Sequence, residues 1–273
     1  RGDQVFSQAV MFVGFMSAIF MILGLFFADS LASAFGATGV IHQMTTTYMR
    51  VILMFAPFFM LNNVIISFVR NDGNPNLAMV AMLGGSLSNI ILDYIFIFPL
   101  SMGMFGAVLA TGIAPIISML ILSSHFTQQR NNFCFMKTKV TLKVCWDIAK
   151  LGSSMLITEI SSGIVMIIYN TIILGLAGYL GVAAYGIIAN IALVVIAIFT
   201  GVAQGIQPLI SQYYGQGKLV DGEKVLRYGF ITAIILAVVI YVGAVLYSSP
   251  IVAAFNGDND HTLAEIAIRG INI

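Results

Sequence analysis

Charge is what this sequence has least of. Only 8% of its 273 residues are Asp, Glu, Lys or Arg, against about 25% in a soluble domain. So few charges exclude an ordinary water-facing globular surface. The net charge of +1 gives no basic footprint for nucleic acid. The two cysteines, Cys134 and Cys145, are too few for a disulfide framework. Both fall in a basic loop expected on the cytoplasmic side, where thiols stay reduced. The three histidines, His42, His125 and His261, lie in or near expected loops without metal-ligand spacing. No secretory leader or transit peptide is visible. Gly215-Gln216-Gly217-Lys218 lacks the strand, the glycine spacing and the Ser/Thr of a phosphate-binding loop, so a nucleotide-hydrolysing pump is unsupported. No nucleophile–base arrangement is evident, and the chain is not expected to be an enzyme.

What is present is apolar length. The sequence is 59% hydrophobic, with a mean hydropathy of +0.99. Its apolar runs have helix length, about 20 residues, and not the roughly 10-residue alternation of a membrane barrel. The expected fold is therefore all-α, a polytopic bundle of transmembrane helices. Seven spans are predicted: 8–28, 48–69, 77–100, 107–124, 151–176, 182–206 and 228–246, with an eighth beginning near Ala264. Asp29–Thr47 reads as a loop, and His125–Asp147 as the longest polar segment. Arg70-Asn71-Asp72-Gly73-Asn74-Pro75 reads as a compact turn, with Pro75 in the first turn of the next helix.

Loop charges orient these spans. Arg1, Arg70, Arg130, Lys137, Lys139, Lys143, Lys150, Lys218, Lys224 and Arg227 fall on one side; the loops of the other side carry Asp29, Asp258 and Asp260. The asymmetry places the basic side in the cytoplasm. A multi-pass protein of the cell (inner) membrane is expected.

An internal repeat is also visible. Met49-Arg50-Val51-Ile52 matches Ile268-Arg269-Gly270-Ile271, and Leu31–Gly36 matches Ile251–Asn256. The offset of about 215 to 220 residues implies two lobes related as parallel repeats, each with an even number of spans. Residues 1–126 would belong to the first lobe, 127–147 to a cytoplasmic linker and 148–273 to the second lobe. The chain opens without an initiator Met and ends inside an apolar pattern, so it is expected to be part of a longer protein of about twelve helices.

Polar residues inside the spans are the candidate functional set. An acid in the hydrocarbon layer costs on the order of 3 kcal/mol and marks a site by default. Glu159 lies well inside the fifth span and shares a helical face with Gly163, Met166 and Asn170. That face reads as a cavity wall, or as a protonated acid bonded to a neighbouring helix. Asp93 shares a face with Met82, Ser86 and Asn89, as a cation-binding face or as an interhelical hydrogen-bond cluster. Asn190, on a face with Gln204, either contacts substrate beside Glu159 or packs. Asn62, Asn63 and Pro57 predict a bent helix lining a cavity. Arg50 and Arg269 are expected to pair or snorkel near the outer surface, and Met155 and Met166 to contribute to a pliable pocket.

Several stretches resemble one transporter family. Arg70–Pro75 followed by Asn89-Ile90-Ile91-Leu92-Asp93-Tyr94, the stretch Ala183–Asn190, and Gln204-Gly205-Ile206-Gln207-Pro208 with Tyr214–Gly217 are similar to segments of the multidrug and toxic compound extrusion (MATE) transporters. The resemblance covers the whole chain, as about the third to tenth helices. It implies a two-lobed bundle that exports bulky organic cations by alternating access, monomeric at full length and driven by H⁺ or Na⁺ without a bound cofactor. Glu159 stands where the family places the acid of its seventh helix. The alternative cargo is a lipid-linked oligosaccharide, which the family's flippase relatives carry. Mostly acidic intramembrane charge favours cations.

Overall fold

The computed structural model describes residues 2–128, 131–136, 141–255 and 261–271. Arg1, Arg130, Lys137 and Lys139 of the basic side, and Asn256, Asp258 and Asp260, lie outside the described residues. Among the described residues the structure is helical and without strands: α1 (Gly2–Ala34), α2 (Gly39–Met54), α3 (Ala56–Asn71), α4 (Pro75–Ile97), α5 (Gly103–Thr127), α6 (Leu142–Gly215), α7 (Leu219–Leu246), α8 (Ser248–Phe255) and α9 (His261–Ile271). Five of these helices are long and apolar enough to cross a membrane, and α2 with α3 form a further candidate bent by 47°. The protein is a multi-pass membrane protein.

α6 is two helices in one. Gly178 has φ 63° and ψ −160°, a region essentially reserved for glycine. In a straight helix the 16 residues from Tyr169 to Tyr185 would separate them by about 24 Å. Their rings instead stack at 5.7 Å and 8°. The chain therefore folds back at Gly178. Its two arms correspond to the fifth and sixth predicted spans.

Three boundaries differ from the sequence reading. Asp29–Thr47 is mostly helix: α1 runs to Ala34 and α2 starts at Gly39. Ser33 Oγ donates to the Asp29 carbonyl at 3.1 Å along the same helix. Only the glycine pair interrupts the run, with Gly36 at φ 82° and Gly39 at φ 58°. Falling hydropathy marks where the bilayer ends, not where helix ends. For the same reason residues 142–147 are the start of α6, and Cys145 is helical, not in a loop. The predicted bend of the second span sits at Phe55, two residues before Pro57, where α2 gives way to α3.

The chain divides into two compact units, Arg1–Gly152 and Ser153–Ile273. In the first, α1 to α5 enclose Phe6, Ile66, Val69, Ala78, Ala81, Leu122 and Phe133. Small residues bring the helices together: a Cβ on Gly85 of α4 would stand 3.1 Å from the Ala114 carbonyl of α5. In the second unit, Ala184 and Ile187 of α6 form a small core with Val252 of α8 and Ala267 of α9.

Candidate functional site

Three helices of the first unit surround a cavity of about 270 Å³. α3 supplies Phe59, Asn62 and Asn63; α4 supplies Met82, Ser86 and Asn89; α5 supplies Thr111, Pro115 and Ser118. The spacing of these residues makes one polar face on each helix. Asn89 Nδ2 donates to Thr111 Oγ1 at 3.4 Å, joining α4 to α5. Pro115 carries no N–H, so it leaves the Thr111 carbonyl without its helical donor. Ser118 is 1% exposed, yet its Oγ finds no hydrogen-bond partner among the described residues. Asn62 Oδ1 is likewise buried and unpartnered. Buried oxygens left unsatisfied cost free energy, and two such oxygens around one cavity invite a cation, a water or a polar guest.

Asp93 lies one turn beyond Asn89 on α4. It is half-buried, and its Oδ1 is buried without a partner among the described residues. The cavity thus gathers Asn62, Asn63 and Asn89, and Asp93 stands next in line without lining it. Thr111, Pro115 and Ser118 were missing from the sequence reading. Their offsets of four and three residues on one apolar helix would have revealed them, because Pro, Thr and Ser at such spacing form a stripe.

The second unit presents its candidates differently. Glu159 and Gly163 are exposed within that unit, Met155 is 65% and Met166 41% exposed, and Asn170 is half-buried. The cavities described in either unit are lined by other residues. Asn190 is exposed, and its Nδ2 donates to the Gly186 carbonyl one turn back at 2.9 Å. Arg269 pairs with Glu265 of the same helix at 2.7 Å. The predicted Glu159, Gly163, Met166 and Asn170 face is continuous along the first arm of α6, and the second unit alone does not close a chamber on it.

A second polar cluster, unforeseen from sequence, ties the α3–α4 turn to residues 131–136. Asp72 Oδ2 accepts from the Asn132 backbone N–H at 2.8 Å and lies 3.0 Å from His125 Nε2. Asp72 Oδ1 accepts from Asn132 Nδ2 at 3.0 Å. Burial alone would raise the Asp72 carboxyl, but the Asn132 and His125 hydrogen bonds and the His125 charge together hold it below its ordinary 3.8. Phe133 inserts among Phe6, Phe68 and Phe126. Cys134 N–H donates to Asp3 Oδ1 at 2.7 Å, and Met136 N–H to Ser7 Oγ at 2.8 Å.

Known proteins resemble the chain along its length. The MatE family model matches residues 2–95 and 155–273. The multidrug export protein MepA of Staphylococcus saprophyticus subsp. saprophyticus is 25% identical over 245 residues, 89% of this chain and 54% of MepA. MepA of Staphylococcus haemolyticus is 29% identical over 234 residues, 84% of this chain and 52% of that protein. The chain therefore spans about half the length of the curated relatives it matches. Among solved structures, the outward-facing conformation of a multidrug resistance MATE family transporter of the MOP superfamily gives a TM-score of 0.90 at 24% identity, covering 99% of this chain and 60% of that one. A MOP superfamily transporter from Pyrococcus furiosus gives 0.89 at 24% identity, with 99% and 61% covered. These structures share the fold. With the family model matching well over half of its residues, the chain belongs to the MatE family, the MATE transporters.

Proposed function

We propose that this chain forms part of a secondary multidrug exporter that trades organic cations for H⁺ or Na⁺ across the cell membrane. The relatives named multidrug export protein support the cargo class. The observation that carries the reading is the cavity of the first unit, where the Asn62 and Ser118 oxygens are buried without partners and the unpartnered Asp93 Oδ1 lies one turn away. Asp93, with Asn89 one turn before it on α4, holds the coupling ion. A carboxylate in a low-dielectric setting needs a proton or a cation as counter-charge. Glu159 on α6 is the second exchange group, taking the cationic substrate or a proton in turn.

Competition between two positive passengers for one carboxylate gives antiport without further parts. No Lys or Arg lines the cavity of the first unit. That favours cationic cargo over a pyrophosphate-linked oligosaccharide, which would need basic partners. The residues expected in the cytoplasmic linker keep the basic side inside. The test is dye efflux from vesicles containing the protein, under an imposed pH gradient and separately under a Na⁺ gradient. Efflux driven by one of them, and abolished in Asp93→Asn, is expected. Dye movement indifferent to both gradients would remove the coupling scheme.

A further inference from the structure

His125 is a titratable side chain that the transport reading leaves unused. It lies in the last turns of α5 and is 2% exposed. Its Nε2 lies 3.0 Å from Asp72 Oδ2, its Nδ1 lies 3.4 Å from Asn74 Nδ2, and its ring stacks on Phe133 at 6.2 Å and 28°. Asn74 is also the N-cap of α4, and its Oδ1 accepts from the Leu77 N–H at 3.2 Å. These contacts fix the protons. Because Oδ1 is committed to Leu77, the Asn74 amide offers His125 its NH₂ group, which only donates. Nδ1 must therefore be the bare acceptor, and Nε2 carries the proton given to Asp72.

A second proton on His125 breaks this arrangement. An Nδ1–H would face the Asn74 NH₂, donor against donor. Turning the amide over would satisfy the ring and put the NH₂ group against the Leu77 N–H, ending the cap. Asp72 pulls the other way, since its negative charge welcomes an imidazolium. Around the ring, the α3–α4 turn contributes Asp72, α5 contributes Ser124 and Phe126, and the 131–136 segment contributes Asn132 and Phe133. From α1, Asp3 and Ser7 serve the Cys134 and Met136 amides, and Arg70 of α3 reaches Met82 Sδ at 3.5 Å. Among the described residues, Asp72 is the charged group in contact with the ring.

We propose that His125 is a proton-operated latch between the 131–136 segment and the start of α4. Neutral, it holds Asn74 as the α4 cap and fastens the segment through Asp72. Protonated, it keeps its grip on Asp72 and releases the cap. α4 is the helix that carries Ser86, Asn89 and Asp93, so proton occupancy at one end of it changes the anchoring of the cavity wall. The latch does not depend on the transport reading, because it is tested without substrate.

The experiment uses the whole chain in lipid nanodiscs, with ¹⁵N-labelled histidine and amide hydrogen exchange. The His125 signal is assigned by its loss in His125→Gln. The neutral ring is expected to carry its proton on Nε2. Where the ring takes up its second proton along a pH series, Leu77 exchange, corrected for its intrinsic pH dependence, accelerates about fivefold, the loss of one N-cap. Asn74→Asp retains the cap and supplies a second carboxylate oxygen to Nδ1–H. Leu77 protection should then stay flat across the pH series. His125→Gln should also remove the step. A neutral ring protonated on Nδ1 overturns the proposal. So does a second proton on the ring that leaves Leu77 unaffected, a step that survives in His125→Gln, or a ring that keeps one protonation state throughout the pH series.

Discussion

Asp93 and Glu159 are both carboxylates on apolar helices, yet their own units treat them differently. Asp93 is half-buried on α4, one turn beyond Asn89 of a cavity edged by Asn62, Asn89 and Ser118. Glu159 stands exposed on the first arm of α6, with no hydrogen-bonded neighbour to set its state among the interactions described for its unit. The first unit thus fixes the surroundings of its acid by internal packing. The second presents its acid as part of an open helical face. A polar residue in an apolar run is the same signal in both cases, but the sequence does not say how much protein surrounds it.

The largest expected effect separates the two acids. Glu159→Gln and Asp93→Asn should each lower dye efflux by at least tenfold in cells, with membrane insertion retained on immunoblots. Glu159→Gln should leave the melting temperature unchanged, because nothing in its unit leans on the carboxylate. Normal efflux in either variant would withdraw that acid from the pair.

Next is the aromatic anchor of the first unit. Phe133→Ala removes a ring 4% exposed from contact with Phe6, Phe68 and Phe126. A loss of about 3–5 kcal/mol is expected, read by denaturant unfolding and by faster proteolysis at residues 131–136.

The glycines sharpen the comparison further. Gly85→Leu should cost about 1–3 kcal/mol, since its Cβ meets the Ala114 carbonyl at 3.1 Å and backbone yields little. Gly163→Leu in the second unit should change stability by no more than about 0.5 kcal/mol, with nothing within 4 Å of its Cβ. Equal melting temperatures for the two variants would erase the contrast.

Acid should loosen the first unit locally. Asp72 is held below 3.8 in the fold, so the unfolded chain binds its proton first. Its contribution is present in full above that ordinary value and is lost as pH falls through the lower folded one. Amide exchange at Asn132 should therefore rise only at strongly acidic pH, and Asp72→Asn should remove that dependence. A small effect is also expected for Thr111→Val. It breaks the Asn89 hydrogen bond between α4 and α5 and should cost about 0.6 kcal/mol, the average found for such bonds in membranes.

Most of the helical layout was legible in the sequence because hydropathy and helical period act locally. Asn74-Pro75 was readable as a helix start for the same reason, and Asn74 is the α4 cap. Helix ends outside the apolar runs, such as residues 29–34 and 142–147, were not, because nothing in hydropathy stops a helix. Asn62, Asn63 and Asn89 could be singled out one helix at a time, but their meeting with Thr111 and Ser118 depends on helix crossing. His125 was set aside as a loop residue. Its partners Asp72 and Asn74 are 53 and 51 positions away, and no local pattern announces so distant a pairing.

Gly178 makes the reversal of α6 in the space of a single residue. A turn that short has no slack, so the arms cannot slide or rotate independently. Adding one residue beside it would swing every side chain on the following arm by about 100° and advance it by about 1.5 Å. Tyr185 would leave Tyr169, and Asn190 would be carried to a different side of its helix. A one-residue insertion at this corner is therefore a frameshift in three dimensions, though the reading frame of the gene stays intact.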